Sequence, residues 1–109
     1  MSLFGFLGGG AAWDINKIQE YMGEAPSSLL IDVREPDEYA SGHIPGSRNI
    51  PVGQISGRHQ EIGGKDAAVY VYCQSGMRSS KAAKTLKTLG FQDVRDLGGI
   101  GRYRGKLEK

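Results

Sequence analysis

The chain has 109 residues, with 14 lysines and arginines against 12 aspartates and glutamates, one cysteine and two histidines. That length suits a single domain with its own core, and the near-balanced charge argues against a nucleic acid or a membrane surface as the main partner. A lone cysteine excludes an intramolecular disulfide framework, and His43 and His59 lack metal-ligand spacing, so neither a structural metal nor a cofactor is expected.

Residues 1–12 carry a short apolar patch from Leu3 to Leu7, well under the roughly 20 residues of a membrane span, and then Gly8-Gly9-Gly10. They read as a flexible N-terminal segment ahead of a folded domain at 13–109. Asp14 is placed to cap a helix bearing Ile15, Ile18 and Met22, with Gly23 at its stop. The almost unbroken apolar run at 29–33 predicts a strand buried on both faces at the sheet centre. Pro36 suits the first turn of a short helix over 35–40 that Gly42 ends. A brief extended piece at 47–50 lies between turns, and 52–61 is only weakly helical because Gly53 and Gly57 interrupt it. A strand at 68–72 precedes a helix at 79–89, whose Ala82, Ala83, Leu86 and Leu89 share one face while lysines occupy the other. Residues 94–97 predict a further strand, Gly98-Gly99 a turn, and 100–106 a last helix. Strands alternating with helices imply parallel strands joined by right-handed crossovers, hence a three-layer α/β/α domain with a central, mainly parallel sheet. Ligands of such folds gather beyond the C-terminal ends of the strands.

Cys73 stands at that edge, between the strand and Gln74, Ser75, Gly76, Met77 and Arg78, which lead into the helix. This reading puts the thiol at the mouth of a tight loop. Inward-facing loop N–H groups, the positive end of the helix and the Arg78 guanidinium would all favour a thiolate over a thiol. Gly76 supplies backbone freedom where a side chain would obstruct such a turn. Four residues separate Cys73 from Arg78. Tyrosine phosphatases space the same pair one residue further apart, around a cradle for a phosphoryl group. The shorter loop suits a single added sulfur atom, and sulfite or a thiolate leaves as a stable anion without a general acid.

The chain resembles a single-domain rhodanese. The resemblance runs from about Trp13 to Tyr103 through Leu30-Ile31-Asp32-Val33-Arg34, Glu38-Tyr39, the stretch from Gly42-His43-Ile44 to Pro51, the loop from Cys73 to Ser79, and Leu97-Gly98-Gly99-Ile100, in family order. It implies a rhodanese-like fold and a sulfurtransferase in which Cys73 is the catalytic nucleophile. Cys73 would take sulfane sulfur from thiosulfate or another small anionic donor as a persulfide and pass it to cyanide, a thiol or a protein acceptor. Gln74, Ser75, Gly76, Met77 and Arg78 carry over as the substrate-binding loop. The sequence departs at Tyr103, where the family commonly has tryptophan.

A persulfide carrier or regulatory module in a sulfur relay is the alternative, and a cysteine phosphatase or arsenate reductase is disfavoured by the short loop and the missing second cysteine. Asp32, Arg34 and Glu38 read as a structural ion-pair set, His43 as a hydrogen-bonded structural imidazole and His59 as a surface residue. Arg102, Arg104 and Lys106 form a basic cluster that borders the site or belongs to a solvated tail. A monomer is expected, and a lone oxidisable thiol without a signal peptide points to the cytoplasm.

Overall fold

A computed structural model describes residues 13–109, so the expected flexible segment at 1–12 lies outside the described residues. Four strands, β1 (Leu29–Asp32), β2 (Ser47–Asn49), β3 (Ala68–Cys73) and β4 (Asp93–Gly99), form one sheet in the order β2-β1-β3-β4. Every pairing is parallel. The helices are α1 (Ile18–Glu24), α2 (Pro36–Ser41), α3 (Ile55–Arg58) and α4 (Met77–Thr88), with short 3-10 turns preceding α1 and flanking α3. The apolar run at 29–33 thus yields a central strand, as its lack of alternation predicts.

Successive strand residues point to opposite faces. Leu30, Tyr70, Tyr72 and Leu97 pack with Ile15, Ile18 and Ile44 on one side of the sheet. Ile31, Val69, Val71 and Cys73 pack on the other with Ile55, Ala82, Leu86 and Phe91. Cys73 is therefore in phase with Val69 and Val71, and its side chain emerges beneath α4.

The last expected helix is not formed. A 3-10 turn, Ile100–Arg102, gives way to extended backbone at Tyr103, and the chain closes in an antiparallel bridge between His43 and Glu108. Gly101 and Gly105 make 100–106 a poor helix, and docking of the tail beside His43 supplies alternative backbone partners. Gly98-Gly99 is not a turn either. Both belong to β4, where a register shift opposite Val71 and Tyr72 pairs Tyr72 with Gly98 and Cys73 with Gly99. Tyr103 sits half-buried against the Ile15 and Leu97 cluster.

At the C-terminal end of β1, Asp32 and Arg34 form a buried ion pair. Arg34 Nε bonds both Asp32 oxygens at 3.1 Å and Nη2 bonds Oδ2 at 2.8 Å. Nη2 also reaches the Gly42 carbonyl at 2.7 Å, and Nη1 reaches Gln74 Oε1 at 3.2 Å. Burial works against the Arg34 charge, but the hydrogen bond and charge of Asp32 more than restore it, so the Arg34 pKa is raised. Removing one partner strands the other. Arg34→Met is expected to lower unfolding free energy by about 3–5 kcal/mol in urea titrations, and adding Asp32→Asn to recover part of that loss.

Candidate active site

β3 runs through Cys73, and the chain then folds back over its side chain through Gln74, Ser75 and Gly76 into the first turn of α4. The sulfur is not at the mouth of the loop as expected: Cys73 is wholly buried. The cause is the strand phase, which turns Sγ under α4 instead of along the strand axis. Gly76 N–H donates to Sγ at 3.0 Å, and this is the loop amide that bonds the sulfur. Gly76 adopts φ +106°, a conformation that side chains disfavour, and its carbonyl accepts the Ser79 hydroxyl at 3.1 Å.

The floor beneath the loop is backbone. A Cβ on Gly99 would stand 2.6 Å from the Gln74 carbonyl oxygen and 3.0 Å from Ser75 Cα, while Gly76 packs near Gly98 Cα. The loop thus rests directly on the Gly98-Gly99 main chain. Sequence reasoning missed this role, although paired glycines inside a strand pattern signal a bulge or a close backbone approach.

Of the loop residues, Gln74, Ser75 and Met77 are exposed, Met77 at 81%, and Gly76 and Arg78 are half-buried. Gln74, Ser75, Gly76 and Met77 line an open cleft of about 920 Å³ together with Gly98 and Gly99 and with Lys87, Asp96 and Arg102. Arg102 of the basic cluster therefore does border the cleft. Arg104 lines a neighbouring hollow by Trp13 and Asp14.

Arg78 does not point a free guanidinium at the sulfur. Its Nη1 and Nη2 bond the two Glu38 oxygens at 2.6 and 3.0 Å. Glu38 thus pairs across the site with Arg78, while Asp32 takes Arg34. Glu38 Oε1 also accepts the Glu35 N–H at the start of α2. The Arg78 hydrogen bonds, followed by the Glu35 N–H, hold the Glu38 carboxyl down at about 2. His43 is the structural imidazole expected: its Nδ1 lies 2.9 Å from the Tyr39 carbonyl and its ring stacks on Tyr39 at 3.8 Å. His59 is half-buried, edge-on to Phe91, and not simply a surface residue. Tyr72, its hydroxyl pKa pushed up by burial, takes the Ile44 N–H and donates to Ser47 Oγ, tying the stretch after α2 to β2.

The Rhodanese-like domain family model matches residues 14–105. The Putative sulfur carrier protein YrkF of Bacillus subtilis is 41% identical over 80 residues, which cover 72% of this chain but 43% of that protein. The Thiosulfate sulfurtransferase PspE of Escherichia coli is 35% identical over 71 residues, 64% of this chain and 68% of that one. A solved rhodanese with anions from E. coli superposes with a TM-score of 0.71 at 31% identity, covering 75% of this chain and 98% of its own. The chain belongs to the rhodanese-like domain family, and with that family comes a role in sulfur transfer.

Two outcomes follow from this geometry. Gly99→Ala should displace the 74–76 backbone and slow reaction of Cys73 with a sulfur donor by roughly 100-fold, as misplacements near 1 Å do, with far-UV circular dichroism unchanged. The Glu38 carboxyl is depressed from its ordinary value near 4.5 to about 2. The stability it confers is therefore complete above pH 4.5 and lost as pH falls through about 2. At a half-buried position solvent screens most of the nominal gain. Urea titrations should show wild type about 1 kcal/mol more stable than Glu38→Gln at pH 7, and that gap closing toward pH 2.

Proposed function

We propose that this chain is a sulfurtransferase that carries sulfane sulfur as a Cys73 persulfide, taking it from thiosulfate or another small anionic donor and passing it to cyanide, a thiol or a protein acceptor. The observation that carries the reading is the Gly76 N–H on Cys73 Sγ, at the strand end where a short loop enters a helix. In the first step the Cys73 thiolate attacks the outer sulfur of thiosulfate. The sulfur–sulfur bond breaks, its electron pair leaves with sulfite, and Cys73 retains one extra sulfur as a persulfide anion. In the second step the acceptor attacks that terminal sulfur and the Cys73 thiolate is released. Total charge is the same before and after each step, and with an anionic acceptor such as cyanide or a thiolate no proton has to move.

In this reading the loop residues Gln74, Ser75, Gly76, Met77 and Arg78 bind the donor and hold the persulfide. Amide dipoles fixed by folding stabilise an anion without reorganising during the reaction. Because Sγ is covered, donor entry requires an outward shift of the 74–76 turn, whose side chains are already solvent-facing. A lone reduced thiol with this chemistry suits the cytoplasm. Among the described residues no helix is long and apolar enough to cross a membrane.

The carrier role is a second reading, favoured by one observation. Met77, the most exposed large apolar side chain described, stands beside a sulfur that bulk solvent does not reach, as a docking surface for a protein donor would. Slow thiosulfate turnover with fast loading from a cysteine desulfurase would select it. For the enzyme reading, incubation with thiosulfate should add the mass of one sulfur atom to the intact protein, cyanide should remove it, and Cys73→Ser should gain none. Equal sulfur gain and turnover by folded Cys73→Ser protein would overturn both.

A further inference from the structure

The charged groups around the loop cancel in pairs. Arg78, the one cation among residues 74–78, has two N–H groups on the Glu38 carboxylate. Arg34, the other guanidinium that touches the loop, is committed to Asp32 and the Gly42 carbonyl. Two positive charges thus face two negative ones within the site, and the Glu35 carboxylate acts more weakly on Arg78 as well. Lys87 and Arg102, which line the cleft with Asp96, are exposed to water, so their field is screened. A donor that reaches Cys73 meets the Gly76 amide and paired charges, with no unpaired cation on the loop to repay the desolvation of a dianion.

We infer, building on the sulfur-transfer reading above, that Glu38 is a specificity-determining residue: by neutralising Arg78 it makes the site favour singly charged sulfane donors over doubly charged thiosulfate. Glu38 also accepts the Glu35 N–H that opens α2. A glutamine there keeps an oxygen for that bond while removing the charge, so Glu38→Gln separates the electrostatic role from the structural one.

The test measures second-order loading of Cys73 by thiosulfate, a dianion, and by methanethiosulfonate, a monoanion. Methanethiosulfonate transfers its outer sulfur by the same step, with methanesulfinate leaving in place of sulfite. An Arg78 relieved of its main partner acts on one more unit of charge in thiosulfate than in methanethiosulfonate. Glu38→Gln should therefore raise the thiosulfate-to-methanethiosulfonate rate ratio by roughly 3- to 10-fold at low ionic strength, and the rise should shrink in high salt. A ratio that stays the same or falls overturns the inference. Wild-type protein supplies an independent measurement should the variant fold poorly. With Arg78 cancelled, thiosulfate loading should slow by less than about threefold from low to high ionic strength, and a steep loss overturns the inference. If neither donor loads wild-type Cys73, the reading as an enzyme loaded by small anionic donors falls and the inference with it. Loading by both donors with an unmoved ratio removes only the role of Glu38.

Discussion

A carboxylate and a guanidinium shut away from water at the end of β1 hold three pieces of backbone in register. Asp32 is fully buried and Arg34 nearly so, and neither is tolerable there without the other. The ion pair by itself contributes little net stability, because desolvating both groups offsets their attraction. Its effect is positional. With Asp32 satisfying the inner edge of the guanidinium, the remaining donors of Arg34 reach Gly42 and Gln74, so the exit from α2 and the cysteine loop are spaced from one point on the central strand. Asn49 adds to the same junction by donating to the carbonyls of Asp32 and Arg34.

Given that anchor, the sulfur's place follows from strand geometry. Side chains alternate along β3, so Tyr70 and Tyr72 fill the α1 side while Val69, Val71 and Cys73 face α3 and α4. A thiol at the end of this series lies under the helix that begins four residues later. The loop joining them has to pass over β4, and glycine at 98 and 99 lets main chain lie on main chain. Any Cβ at position 99 would occupy the space of the Gln74 carbonyl. The shift in the β3–β4 register brings Gly99 opposite Cys73, so the bulge and the loop form one construction.

The alternation of strands and helices, the central position of β1, the helix after the cysteine and the parallel sheet were all legible in the sequence, because apolar periodicity and glycine or proline stops are local signals. The structural part of His43 was legible too, from its turn-rich surroundings. What escaped was set by contacts distant in sequence. The depth of Cys73 depends on which face α4 covers, and the backbone role of Gly98-Gly99 depends on a bulge. Likewise the partner of Arg78 lies 40 residues away on α2, and composition alone could not choose between Glu38 and Asp32. The tail from Ile100 onward was read as a helix because the competing bridge to His43 is non-local.

Burial and neutrality act together at this site. A sulfur enclosed by its loop is protected from water and from adventitious oxidants, yet the proposed mechanism needs it charged to attack a donor. A large fixed positive charge would stabilise that anion, but it would also hold sulfite or any other small anion that wandered in, slowing release after each transfer. Pairing Arg78 with Glu38 reduces that general attraction and leaves directional N–H groups to recognise sulfur. Electrostatic preorganisation by dipoles is short-ranged, so it acts on an atom seated in the loop far more than on anions in the open cleft. Under the proposed mechanism such an arrangement would favour a persulfide seated in the loop over a departing anion in the cleft, which is the distinction that a sulfur-transfer site has to make.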